Sequence, residues 1–151
     1  MNAQPHGLQS GLRDIEALLR NGNKQAAERA AQALVAQWPA DMQAQVLLGH
    51  ALRQCGKAAP AMVAARQAQT LAPADPAPRM LLVDLLQEQG RHAECVDVLG
   101  ALIADSVDYP ATLLQDIAQR CTMLGLHAEA ERMQARSLAL QPDNPAVLYN
   151  H

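Results

Sequence analysis

The sequence predicts an all-α fold of tandem antiparallel helix pairs, and three periodic observations carry that expectation. Gly22, Gly56, Gly90 and Gly125 follow one another at intervals of 34, 34 and 35 residues. A proline stands seventeen residues after three of them, as Pro39, Pro73 and Pro142, while the third interval holds Val107. Five residues after each glycine comes a small side chain: Ala27, Ala61, Cys95 and Ala130. A unit of this length is one helix–turn–helix that cannot bury its apolar face alone, so successive units stack. Function then belongs on a surface rather than in a pocket.

Each glycine closes the first helix of a unit by taking the left-handed conformation, and each proline stops the second before the chain turns into the next unit. The first pair is therefore expected at 8–21 and 24–37, and the second at 42–55 and 59–71. In that second pair the apolar residues Val46, Leu48 and Leu52 precede Gly56, and Ala61, Ala65, Ala68 and Leu71 follow it at helical spacing. The third pair is expected at 77–89 and 92–106, and the fourth at 111–124 and 127–140. Asp41, Asp75 and Asn144, each two residues after a proline position, are candidate caps for the helix that follows. The units run 8–41, 42–75, 76–110 and 111–144, as one domain over 1–151 whose remainder, 145–151, has the composition of a further first helix.

Composition narrows the function. Of 151 residues, 50% are hydrophobic but only 2% aromatic, with no Phe, so Leu, Val, Ile, Met and Ala must pack the interior. A formal net charge of −3 speaks against general nucleic-acid affinity, which draws on clustered Lys and Arg. No apolar stretch approaches the ~18 residues of a membrane span, and no early run resembles a signal peptide. Cys55, Cys95 and Cys121 have the number and spacing of neither a disulfide framework nor a zinc site, which fits reduced thiols and the cytoplasm. Cys95 and Cys121 fall at core-facing positions.

The chain resembles the tetratricopeptide repeat family. The family pattern of Trp-x-x-Leu-Gly-x-x-Tyr, Ala-x-x-x-Phe and Pro is best kept in the second unit, as Gln45-x-x-Leu48-Gly49-x-x-Leu52, Ala61-x-x-x-Ala65 and Pro73. Leu114, Ile117, Ala118, Cys121, Ala130 and Pro142 follow it in the fourth. The large aromatics are replaced throughout, Ile15 and Val83 replace the small residue of the first helix, and Gln134 stands where a bulky apolar residue is usual. The resemblance implies a right-handed superhelical α-solenoid whose concave wall, built from the first helix of each unit, binds a peptide or protein. More weakly, the Ala- and Gln-rich repeats resemble the leading repeats of bacterial proteins that continue into a sulfotransferase domain. An accessory, non-catalytic repeat domain of such a transferase is the alternative function.

By that geometry Arg13, Glu16 and Arg20 face the groove beside His50, Arg53 and Gln54, followed by Asp84, Gln87 and Glu88, then Asp116 and Gln119. The early wall is mostly basic and the later wall mostly acidic, which would orient a partner of opposite pattern. The competing reading is that these charges are solvated and pair with one another. Leu12, Glu16, Leu47, Ala77 and Leu81 stand where one branch of the family carries a carboxylate clamp, so capture of chaperone tails by that clamp is not expected. His92 and His127, each two residues after its glycine, are expected to pack between helices rather than bind metal, because equivalent places lie a full unit apart. No glycine-rich phosphate loop, HExxH, CxxC or GxSxG is present, so no catalysis, cofactor or metal is expected. If the chain is the leading part of a longer protein, the face of the fourth unit with Leu114, Ile117 and Leu138 should seek cover, by self-association or by docking of the end of the chain.

Overall fold

The structure is a computed structural model that describes residues 6–141; Pro142, Asn144 and the remainder 145–151 lie outside them. Eight α-helices follow in order: α1 His6–Arg20, α2 Lys24–Gln37, α3 Met42–Gln54, α4 Ala58–Leu71, α5 Pro76–Glu88, α6 His92–Ala104, α7 Ala111–Met123 and α8 His127–Ala139. A 3-10 turn, Ser106–Asp108, separates α6 from α7, and no strand occurs among the described residues. The fold class is all-α, in tandem helix pairs, as the spacing predicts. By contacts the chain forms two compact units, Met1–Gln89 and Gly90–His151. The division falls inside the third expected repeat, so α5 belongs to the first unit and α6 to the second.

Gly22, Gly56, Gly90 and Gly125 are the residues with positive φ, between 71° and 79°. After α3, the Gly56 N–H donates to Arg53 O at 3.0 Å and the Lys57 N–H to Leu52 O at 2.8 Å. The same pair of bonds recurs at Gly22 and Gly125, satisfying the last carbonyls of each first helix. Asp41 and Asp75 cap α3 and α5, accepting from the Ala44 and Ala77 N–H at 2.9 Å each. Where the third interval has Val107 in place of proline, the chain enters the 3-10 turn instead.

In the first unit, Leu8, Leu12 and Ile15 of α1 form a core cluster with Ala31, Leu34, Ala44 and Leu47, and Trp38 packs at its edge. The small residues are contact points: Ala27 and Ala61 are fully buried, and a Cβ at Gly49 would stand 2.5 Å from Leu81 Cδ2. α3 therefore presses on α5 at Gly49. In the second unit α7 runs along α8, burying Leu114, Ile117, Ala118 and Cys121 with Ala130, Met133 and Ser137. Ser137 Oγ donates to Ala111 O at 2.9 Å. The Arg136 guanidinium donates to Ser106 Oγ and Ser106 O at 2.7 Å each, tying the 3-10 turn to α8.

Two expectations are corrected. His92 and His127 do not pack between helices: they are the exposed first residues of α6 and α8, where side chains project away from the following turn. Leu114 and Ile117 do not form an uncovered face, because α7 turns both fully into the core. The exposed large hydrophobic residues of this unit are instead Val96, Val107, Met123 and Leu140, with Leu138 half-buried.

Candidate protein-binding surface

The candidate residues of the first unit fall on one stripe of each first helix. Arg13, Glu16 and Arg20 are three and four residues apart on α1 and all exposed. On α3, His50 and Arg53 are half-buried and Gln54 exposed; on α5, Asp84 and Gln87 are half-buried and Glu88 exposed. None is buried, whereas Leu12, Ile15, Leu47, Leu52, Leu81 and Leu85, on adjoining stripes, are. Leu12, Leu47 and Leu81 are therefore core residues and not groove positions, which corrects their placement on the wall. On α7 of the second unit, Asp116 and Gln119 are exposed.

The structure brings α3 and α5 together electrostatically. Arg53 Nε donates to Glu88 Oε1, and Arg53 Nη1 stands 4.0 Å from Asp84 Oδ2. With Arg53 a third exposed, this pairing is worth about 1 kcal/mol at most. The internal-pairing reading thus holds for Arg53. Away from this wall, Lys57 Nζ pairs with Glu28 Oε2 at 2.8 Å, joining the turn before α4 to α2. The bond to Lys57 lowers the Glu28 carboxyl from its ordinary value and raises Lys57, while burial raises the neighbouring Cys55 thiol.

The thiols behave as packing groups. Cys95 and Cys121 are buried, and burial pushes the Cys121 thiol up to about 11, away from the thiolate that nucleophilic chemistry needs. Among the described residues no group of three His, Cys, Asp or Glu is placed to hold a metal ion. No helix there is long and apolar enough to cross a membrane.

Of the four buried polar residues among those described, two share one repeat position. Gln45 and Arg79 are 5% and 6% exposed. They stand 34 residues apart, and Gly11 and Leu114 continue the series, so the signal was present in the phase: this is the place where the repeat pattern has Trp.

Neither a protein-family profile nor any curated protein matches the sequence. Solved structures do match. The Yersinia enterocolitica type III secretion chaperone SycD, in complex with a peptide of the translocator YopD, superposes with a TM-score of 0.71 at 16% identity, over 83% of this chain and 98% of that one. MamA gives 0.67 at 17% identity, over 92% and 81%. Pseudomonas aeruginosa PilF gives 0.72 at 19% identity, over 93% and 64%. At these identities the likeness establishes the fold, that of tetratricopeptide-like helical repeats.

Proposed function

We propose that the chain is a non-catalytic scaffold that binds a peptide or partner protein along the first-helix stripes of α1, α3 and α5. The observation that carries this reading is the division of labour within each first helix: one stripe makes the core, and the other leaves Arg13, Glu16, Arg20, His50, Gln54, Gln87 and Glu88 at the surface. The peptide-bound SycD structure supports it, since a similar fold there holds a peptide. Arg13, Arg20 and His50 receive the acidic part of the partner, and Asp84 and Glu88 the basic part, with Arg53 holding the two carboxylates in position. The accessory-domain alternative gains no support from the similar structures named above.

Twenty-residue peptides with an acidic block followed by a basic block, and scrambled controls of equal charge, test this by fluorescence anisotropy. Reversing Arg13 and Arg20 together to Glu should weaken the block peptide about tenfold, from two rim charges at ~0.5–1 kcal/mol each. Arg132→Glu, an exposed change on α8, is the control. Equal losses from both variants, or no preference for the block peptide, would overturn the assignment.

A further inference from the structure

A hollow of about 670 Å³ opens on the opposite layer of the first unit, between α2 and α4. Its apolar walls are Val35, Pro39, Val63 and Leu71, and Gln45 of α3 lies between them. A second hollow of about 310 Å³, sharing Val35, Gln45 and Val63, continues it toward Leu48 and Leu52. Val63 is 56% exposed and Leu71 42%, the two large exposed hydrophobic residues among the described part of this unit. The size lies within the roughly 300–1,000 Å³ of ligand clefts.

Gln45 gives the hollow its chemistry. Its Nε2 donates to Pro39 O at 3.1 Å, which fixes the amide, since the flipped form would set oxygen against oxygen. Oε1 is then a buried acceptor with no hydrogen-bond donor. Such an atom carries a desolvation cost that a donor entering beside it removes. The residue also stands where the repeat pattern has Trp, and the Gln side chain is smaller than that ring. At the rim, the exposed Arg66 makes no ion pair among the described residues and can lie over an aromatic face.

We propose that this hollow is a second docking site, one that seats an indole, the side chain of a partner's tryptophan, with its N–H donated to Gln45 Oε1. An indole matches on three counts: ring size, apolar faces against Val35, Val63 and Leu71, and a single N–H with no acceptor of its own. Because Oε1 is covered in the free chain, the ring reaches it by displacing the exposed rim side chains. The site is separate from the α1, α3 and α5 stripes and stands whether or not those bind a peptide.

Titrating the 151-residue chain with indole and with 1-methylindole, followed by amide chemical shifts, tests it. Shifts should centre on α2, α4 and the Gln45 side-chain amide, and 1-methylindole should bind about fivefold more weakly, the worth of one hydrogen bond. Gln45→Leu should bind both probes equally. Val63→Glu, an exposed change that leaves the core intact, should abolish binding of both, and Gln45→Trp should do the same while raising the melting temperature. Arg13→Glu with Arg20→Glu should leave indole binding unchanged. Equal affinity of the parent chain for the two probes, shifts centred elsewhere, or unaltered binding by Val63→Glu would overturn the proposal. So would tighter binding of phenol, or concentration-dependent shifts in α2 and α4 without probe, which would assign the hollow to a second copy.

Discussion

The Arg136 side chain ties the 3-10 turn to α8, and replacing it by Met isolates what that tie is worth. Two bonds run from a charged donor to Ser106, one to its hydroxyl and one to its carbonyl, each 2.7 Å long. Ser106 is fully buried, and its hydroxyl is already committed as a donor to Ile103 O at 2.5 Å. Removing the guanidinium leaves the buried carbonyl oxygen to the Tyr109 N–H, which donates to it at 3.2 Å. Hydrogen bonds to charged groups contribute about 1.5–3 kcal/mol each. Arg136 is only half-buried, so the lower end applies to the pair together, and Met preserves the packing of the aliphatic stem. The expected loss is about 2 kcal/mol, which for a unit of this size is roughly 8–16 °C in melting temperature. Ser106→Ala removes one of the two acceptors and should cost about 1 kcal/mol, and the double variant should cost less than the sum. The measurement is urea denaturation followed by far-ultraviolet circular dichroism; fluorescence of the single Trp38 reports the other unit. A loss below ~0.5 kcal/mol for Arg136→Met, or strict additivity with Ser106→Ala, would show that the Arg136 bonds do not hold the turn.

Other perturbations have equally definite outcomes. Gly56→Ala places a Cβ in the left-handed region at φ 75° and should cost about 1 kcal/mol even though nothing lies within 4 Å of the added carbon, read as a lower denaturation midpoint at unchanged slope. The Glu28–Lys57 pair lowers the carboxyl below 4.5 and raises the amine above 10.5. Its contribution is therefore present between those values, fading on acidification through the folded Glu28 value and on alkalinisation through that of Lys57. The melting-temperature deficit of Glu28→Gln should accordingly be seen at pH 7 and vanish at strongly acid pH. At pH 8 an aromatic disulfide reagent should modify Cys55 first, since Cys95 and Cys121 are buried and the Cys121 thiol titrates only near 11; equal rates for all three would contradict the burial.

The helix boundaries were legible because they rest on local chemistry. A glycine with positive φ and an aspartate that caps its own helix act within four or five residues, so Gly56, Asp41 and Asp75 declare themselves in the sequence. That Arg13 and Arg20 would be exposed was legible for the same reason, whereas Leu12, Leu47 and Leu81, placed on the wall by the usual occupant of their repeat positions, are buried. What was not legible depends on pairing across tens of residues. The Arg53 contacts with Asp84 and Glu88 and the Arg136 contacts with Ser106 span 30 residues or more, and nothing in the local pattern chooses those partners. His92 and His127 were misplaced by reasoning from the usual occupant of a repeat position, whereas the first residue of a helix is solvent-facing here.

One repeat position shows how far the two kinds of information can diverge. At the place of the pattern's Trp this chain has Gly11, Gln45, Arg79 and Leu114, four residues of unrelated size and polarity. At Gly11 the gap is closed from outside, with Leu34 Cδ1 so near that a Cβ would stand 2.7 Å from it. Leu114 fills its own site and is fully buried. Gln45 is also buried, but a hollow lies beside it, lined in part by the exposed Val63 and Leu71. A mere packing defect would be best relieved by an aliphatic residue, and Gln45→Leu would then raise stability as much as Gln45→Trp. An indole site predicts a different order: Trp restores ring volume and should stabilise more than Leu, which fills only the base of the hollow. The relative melting temperatures of those two variants thus separate a defect from a binding site before any ligand is added, and a Leu variant equal to or more stable than the Trp variant would favour the defect.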